Sequence, residues 1–263
     1  MAFATEDFET ILAEVTDRTG VITVNRPEKR NALSRTVLSE ISAVLDAWQD
    51  DPAVQAVVFT GAGEKAFVAG ADIAQLKNYD LAYGLAGYMQ KLFDRIEDFP
   101  KPTIAAVNGV ALGGGLELAM SCDIRIFAEN AKVGLPETTL GVLPGAGGTQ
   151  RLSRLVGTGR AVEMILTSRI LTAQTAHEYG LTTQVVPSDG LSNAVAETVG
   201  MILSKGPLAT RLATMVVRAW ADTDQRTGLL LERLAQTLLY TTEDKAEGAA
   251  AFLAKRTPDF QGR

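Results

Sequence analysis

Two glutamates stand where a carboxylate is costly to keep. Glu117 follows the run Gly113-Gly114-Gly115-Leu116 and leads into Leu118-Ala119-Met120, and Glu137 follows Pro136 in a loop between apolar runs. A carboxyl group in apolar surroundings can serve as a general acid or base, because burial lifts its pKa toward neutrality. The ordinary fate of a glutamate is plainer: it caps a helix or joins a surface ion pair. Three glycine clusters, Gly61-Ala62-Gly63, Gly113-Gly114-Gly115 and Gly145-Ala146-Gly147-Gly148, suggest phosphate cradles and hence a Rossmann or P-loop nucleotide enzyme. None has the spacing that either motif requires. What a triple glycine at a helix start does offer is close backbone approach and unpaired N–H groups that stabilise negative charge.

Other chemistries are excluded by count. The chain has one cysteine, Cys122, and one histidine, His177. That rules out a disulfide framework and a Cys/His zinc site, and it rules out a Ser-His or Cys-His triad unless the two lone residues meet. Cys122 lies in an apolar stretch and reads as a small core residue. His177, among polar helix residues, reads as solvated. With 46% hydrophobic and 21% charged residues the chain is globular in composition, and its net charge of −6 disfavours nucleic acid or an anionic membrane as partner. The opening Met1-Ala2-Phe3-Ala4-Thr5-Glu6-Asp7 lacks a basic targeting region. No apolar run approaches the roughly 18 residues that span a bilayer, so a cytoplasmic location is expected.

The elements that must position the glutamates follow from periodicity. Short strands are expected at Thr10 to Val15, Gly20 to Asn25 and Ala56 to Thr60. Between the second and third lies a helix capped by Ser34, with Val37, Leu38, Ile41, Val44, Leu45 and Trp48 on its apolar face and Asp51-Pro52 beyond its end. The pattern recurs with a buried strand at Thr103 to Val107, a helix at Gly115 to Met120 and a strand at Asp123 to Phe127. Repeated strand and helix units indicate an α/β fold. Beyond about residue 190 the pattern becomes helical. Leu208, Leu212, Met215, Val216 and Trp220 share one face, Leu230, Leu231, Leu234, Leu238 and Leu239 follow, and a last helix runs from Glu243 to Ala254. That apolar face is wider than three short helices can bury alone, so it should pack on the core or on another subunit.

Phe67-Val68-Ala69-Gly70-Ala71-Asp72-Ile73, the run from Ala105 through Asn108-Gly109 to Glu117, and Pro136-Glu137 followed by Leu143-Pro144-Gly145-Ala146-Gly147-Gly148-Thr149-Gln150-Arg151 together resemble the crotonase (enoyl-CoA hydratase/isomerase) family. The resemblance runs from Val21 to Asn25, with Arg26-Pro27 and Asn31-Ala32-Leu33, through Glu243-Asp244 to Phe252–Phe260. It implies a spiral of repeated ββα units over residues 1–195 and a helical region over 196–263 that oligomerises and closes the acyl-CoA site. The implied assembly is a homo-trimer or a dimer of trimers.

The implied activity is reversible hydration of trans-2-enoyl-CoA to 3-hydroxyacyl-CoA, in fatty-acid or related acyl-CoA breakdown. By the resemblance Glu117 takes a proton from water and Glu137 gives one to Cα, while the N–H groups of Ala71 and Gly114 hold the charge arriving on the thioester oxygen. No metal or separate cofactor is implied, since coenzyme A belongs to the substrate. Lys29, Arg30 and Lys255 (beside Arg256) are the cations expected near the coenzyme A phosphates, and Ala69, Gly70, Asp72, Ile73 and Gly145 are expected to line the bound substrate. Gly145 to Gly148 is expected to shape the wall behind Glu137. Many members carry a lysine directly after Gly-Ala-Asp-Ile; here Ala74 stands there and the next lysine is Lys77. Asp72, Asn108 and Asp123 also read as structural hydrogen-bonders. An isomerase of the same family is the nearest alternative, although isomerases often lack the first glutamate. A non-catalytic or RNA-binding relative is the alternative of another class, and the net acidity disfavours it.

Overall fold

The computed structural model describes residues 8–263, and the opening Met1–Asp7, read above for a targeting signal, lies outside them. The described chain divides into two compact units, one from the residues up to Phe99 together with Thr103–Val195, the other from Pro100–Pro102 together with Ala196–Arg263.

The first unit carries two sheets. β1 (Ile11–Thr16) and β2 (Thr19–Val24) form an antiparallel hairpin, and β3 (Ala56–Gly61), β5 (Thr103–Val107), β7 (Ile124–Ala128) and β10 (Gln184–Val186) extend it in parallel in the order β1-β2-β3-β5-β7-β10. The second sheet is short, with β4 (Ala66–Val68), β6 (Val110–Leu112) and β8 (Lys132–Gly134) parallel and β9 (Leu171–Thr172) antiparallel at the edge. Each of β3, β5 and β7 is followed by a short strand of the second sheet, β4, β6 and β8, before the chain turns helical. The residues explain this. β3 and β5 read Ala-Val-Val-Phe-Thr-Gly and Thr-Ile-Ala-Ala-Val and are buried almost throughout, as parallel strands covered on both faces must be.

Helices pack around these sheets. α1 (Arg35–Trp48) starts where Ser34 Oγ accepts the Val37 N–H and buries all six residues of its apolar face. α2 (Ile73–Leu76), α3 (Leu81–Ala86) and α4 (Tyr88–Glu97) follow β4, α5 (Gly114–Ser121) follows β6, and α6 (Gly148–Val156), α7 (Thr158–Thr167) and α8 (Ala173–Glu178) complete the unit. Cys122 is buried and His177 exposed, with its Nδ1 3.1 Å from the Thr182 carbonyl oxygen. α5 lies so close to β4 that a methyl group on Gly115 would overlap the Val68 carbonyl oxygen. Only glycine permits that approach.

Asn31 ties the loop after β2 to the strands. Fully buried in a left-handed conformation, it donates to the Ala62 and Ala66 carbonyls at 3.0 and 2.8 Å and accepts the Arg26 N–H at 3.0 Å. Residues 30–33 then run beside 69–72, with Ala69 N–H on Arg30 O, Leu33 N–H on Gly70 O and Asp72 N–H on Leu33 O. Asn108 and Asp123 are likewise structural: Asn108 donates to Gly61 O and Gly63 O, and Asp123 accepts from the Thr103 amide and hydroxyl.

The second unit is helical. α9 (Leu191–Leu203) runs across the division and was not foreseen as a separate helix, while α10 (Pro207–Ala219), α11 (Gln225–Leu239) and α12 (Glu243–Ala254) stand where expected. Beyond α12 the chain folds back, and the carboxylate of Asp244 accepts the N–H groups of Gln261 and Gly262 at 2.7 and 2.8 Å. Met215, Trp220, Leu230, Leu234, Leu238, Phe252 and Leu253 remain exposed. Among the described residues no helix is long and apolar enough to cross a membrane.

Two glycine substitutions separate packing from propensity. Gly115→Ala should fail to fold or lose more than about 3 kcal/mol, since backbone must move to admit the methyl. Gly200→Ala, with nothing near the added carbon, should gain about 0.5–1 kcal/mol in urea unfolding.

Candidate active site

Three neighbouring parallel strands deliver the site. β4, β6 and β8 lie side by side and end at Val68, Leu112 and Gly134. Just beyond those ends come Ala71, the Gly113–Glu117 segment and Glu137, so residues distant in sequence arrive together at the carboxyl edge of one sheet. Open parallel sheets commonly place ligands at that edge. The Gly113 N–H bonds the Gly134 carbonyl at 2.9 Å and locks the two strand ends together. Gly113 itself turns with φ +52°, and a methyl group there would lie 2.9 Å from Glu137 Oε1. Glycine is needed on both counts.

Ala71 and Gly114 both offer backbone N–H groups. Leu33 pairs with Ala71 in a parallel bridge whose bonds use Gly70 O and Asp72 N, which turns the N–H of Ala71 itself away from Leu33. Gly114 is the first residue of α5, where helical N–H groups lack intrahelical partners. The two are neighbours, since a methyl group on Gly114 would sit 3.7 Å from the Ala71 nitrogen. Two adjacent donors at a helix N-terminus can bind one developing oxyanion.

The strand end before Ala71 is held by charge. Arg26 donates to the Asp72 carboxylate at 2.9 Å and to the Ala32 carbonyl at 2.6 Å, and Asp72 also accepts the Ala74 N–H at 3.2 Å. The Arg26 hydrogen bond to Asp72 holds that carboxyl below the usual carboxylate range. Of the residues expected to line substrate, Asp72 therefore has its carboxylate committed, Gly70 is buried, Ala69 is half-buried, and Ile73 and Gly145 are exposed. Lys29 and Arg30 are exposed on the first unit, and Lys255 caps α12 in the second in a left-handed conformation. Arg256 is occupied by the Glu247 carboxylate, which it meets through both terminal nitrogens at 2.6 and 2.7 Å.

Glu117 is 2% exposed, on the first turns of α5. Its Oε1 accepts the N–H groups of Ala146 and Gly148, each at 2.8 Å. The Gly145 to Gly148 loop, expected behind Glu137, thus gives its amides to Glu117. Burial pushes the Glu117 carboxyl up to about 7, the Glu137 charge adds to the rise, and the two amides and Arg151 oppose it. Glu137 opens a short helical turn, Glu137–Leu140, and burial raises its carboxyl as well. Among the described residues its Oε2 is the one buried side-chain oxygen or nitrogen without a hydrogen-bond partner. Two loop amides hold the Glu117 carboxyl, while the backbone N–H of Glu137 itself is what opposes the rise of the other. The two loop amides lower Glu117 toward ionisation, against the burial and the Glu137 charge that raise it.

Arg151, to which the sequence alone assigns no role, underlies the loop. It is buried on α6, donates to the Ala146 carbonyl at 3.0 Å, and meets Glu97 Oε2 and Asp94 Oδ1 of α4 at 2.8 and 2.7 Å. The signal was present in the sequence. Gly148, Arg151, Leu152 and Val156 share the buried face of α6, so an arginine occupies a position whose helical spacing calls for an apolar residue.

The model of the family described as enoyl-CoA hydratase/isomerase matches residues 14–263. A crotonyl-CoA hydratase of Syntrophomonas wolfei is 46% identical over 96% of this chain and 98% of its own length, and a 2,3-dehydroadipyl-CoA hydratase of Escherichia coli is 44% identical over 92% and 95%. The crystal structure of an enoyl-CoA hydratase from Bacillus anthracis superposes with a TM-score of 0.94 at 42% identity, covering 97% of this chain and all of that one. A match over nearly the full length, in sequence and in the α/β architecture with its helical C-terminal region, establishes that this chain belongs to the enoyl-CoA hydratase/isomerase family.

Proposed function

We infer that this chain is an enoyl-CoA hydratase that adds water across the double bond of a trans-2-enoyl-CoA through Glu117 and Glu137. The observation that carries the reading is the pair of buried carboxyls with opposite hydrogen-bond surroundings. With Oε1 of Glu117 occupied by two amides, its Oε2 is the oxygen left to accept a proton from water. The water oxygen bonds to Cβ, the π electrons shift toward Cα and the thioester, and the carbonyl oxygen takes up negative charge. The N–H groups of Ala71 and Gly114 hold that charge, which is largest in the transition state. Glu137 then gives its proton to Cα, completing the 3-hydroxyacyl-CoA with the water's hydroxyl on Cβ and the water's other proton left on Glu117.

The substrate is an acyl-CoA, and no metal or second cofactor enters this sequence of steps. Lys29, Arg30 and Lys255 are the cations proposed for its phosphates, with the backbone of Ala69, Gly70, Asp72 and Ile73 and the exposed turn at Gly145 along its length. We also assign the region from residue 196 onward to self-association as a trimer or a dimer of trimers. The exposed Met215, Trp220, Leu230 and Leu234 support it, because apolar residues exposed along α10 and α11 mark an association surface. A cytoplasmic location accords with these assignments. Analytical ultracentrifugation at micromolar concentration should give a mass that is a multiple of three chains; a clean monomer overturns the assembly.

Glu117→Gln and Glu137→Gln should each fold and each lose about 10²- to 10⁴-fold in crotonyl-CoA hydration, read as decay of the conjugated enoyl absorbance. The double variant should be scarcely slower than the worse single one, because the two groups share one water. Near-parental turnover in either single variant refutes the two-carboxylate mechanism.

Glu117 also links stability to pH. Its carboxyl is raised from 4.5 to about 7 in the fold, so its contribution is fully present below about pH 4.5 and is lost as pH rises toward 7. Glu117→Gln removes that loss. In urea unfolding the variant should gain on the parent as pH rises from 5 to 8, approaching about 3 kcal/mol, the equivalent of the shift. A difference that stays flat with pH would show that the buried carboxyl ionises as freely as in the unfolded chain.

A further inference from the structure

Arg151 does not touch the two carboxyls by hydrogen bond, yet it grips the peptide that does. Its Nη1 donates to the Ala146 carbonyl, whose residue gives its own N–H to Glu117 Oε1, and Gly148, two residues on, gives the second. The turn between them depends on Gly147, φ +99°, where an added methyl would overlap the Arg151 guanidinium. The guanidinium therefore fills the underside of the loop. Its other nitrogens are anchored on α4 by Glu97 and Asp94, so the chain of contacts runs from α4 through Arg151 and the Ala146 peptide to Glu117. We propose that Arg151 is a positioning residue of the hydration reaction: it holds the Ala146 and Gly148 N–H groups on one oxygen of Glu117 and so turns the other toward the water. The inference rests on the reading of Glu117 as the base toward water.

Charge makes the role measurable. The charged groups that act on Glu117 are Glu137, which raises its pKa, and Arg151, which lowers it. The strands packed against α5, β4, β5 and β6, carry no charged side chain. On α4, Asp94 and Glu97 face Arg151, Arg95 pairs instead with Asp46, and Lys91 lines a groove against α1. On α6, Arg154 is bonded to Gln150 on the exposed side. Arg151 thus sits between two acids of α4 and one of α5. Taking away its charge should make Glu117 harder to ionise. Taking away a competing acid on α4 should make it easier.

The test is the pH profile of crotonyl-CoA hydration by the full chain carrying Arg151→Gln or, separately, Glu97→Gln. Glutamine at 151 carries no charge and ends at the level of the arginine Nε, short of the Nη1 that donates to the Ala146 carbonyl. Arg151→Gln should move the acid limb of kcat to higher pH and lower kcat at pH 7 about 10- to 100-fold, with KM within about twofold, as expected when a reacting group is mispositioned and bound substrate is not. Glu97→Gln should move the acid limb the other way, to lower pH. Partial restoration by Arg151→Lys, which returns charge without the forked geometry, should bring the limb back more than it brings kcat back. A merely structural arginine predicts lower thermal stability and no opposed displacement. Limbs that stay put, or move in the same direction, overturn the proposal. Should Arg151→Gln not fold, the direction of the Glu97→Gln limb decides alone. Parental hydration and its loss in Glu117→Gln are measured alongside, so failure of the underlying reading shows there first.

Discussion

The repulsion between two carboxyl groups kept from water governs the rest of this structure. Each group resists ionisation because burial withholds solvent, and the charge on Glu137 makes Glu117 resist it more. Left to itself such a pair would share its single charge evenly and do little chemistry. The fold breaks the symmetry with hydrogen bonds: two backbone N–H groups and a nearby guanidinium favour the charge on Glu117, and none is offered to Glu137 Oε2. In the proposed hydration this asymmetry is what distinguishes proton acceptor from proton donor although both residues are glutamate.

That asymmetry has to be built from backbone, which explains where the glycines fall. Gly113 makes room for the Glu137 carboxyl, Gly115 lets α5 press on β4, and Gly148 brings its N–H to Glu117 where a side chain would collide with that same carboxyl. Each close approach fixes a donor or an acceptor against a strand end. The short sheet carries the site because β4, β6 and β8 are parallel and adjacent, so their carboxyl ends point to one place. Asn31 and the Arg26–Asp72 pair tie the segment around Ala71 to the loop after β2.

Much of this was legible in the sequence, and the reason differs by element. Strands and α1 could be read because burial imposes a strict period on apolar residues, and the Ser34 cap and the six buried positions of α1 match it one by one. Glu117 and Glu137 were legible because a charged residue among apolar neighbours conflicts with its surroundings and so invites a chemical reason. The partners of those glutamates were not. An amide N–H has no sequence identity, and nothing in Gly145-Ala146-Gly147-Gly148 says whether it meets Glu117 or Glu137, since that depends on how α6 crosses α5. Arg151 falls between the two cases. Its misplaced charge on an apolar helix face was visible, and its partners Asp94 and Glu97, more than fifty residues earlier, were not.

The same pair must also be reset. In the proposed hydration Glu137 begins protonated and Glu117 ionised, and each turnover delivers one proton from the first and collects one on the second. At the end the protons are reversed and the carboxyls are in the state that dehydration requires, so a single site serves both directions. To hydrate again, a proton must pass from Glu117 back to Glu137, directly or through solvent. That transfer is nearly isoenergetic only if the two groups have similar affinities for the proton, and strong donors on Glu117 work against it. Two amide N–H groups, with a guanidinium held one peptide away instead of in contact, are a compromise between the two demands. A direct Arg151–Glu117 ion pair would fix the charge more firmly and leave the second carboxyl unable to take its turn.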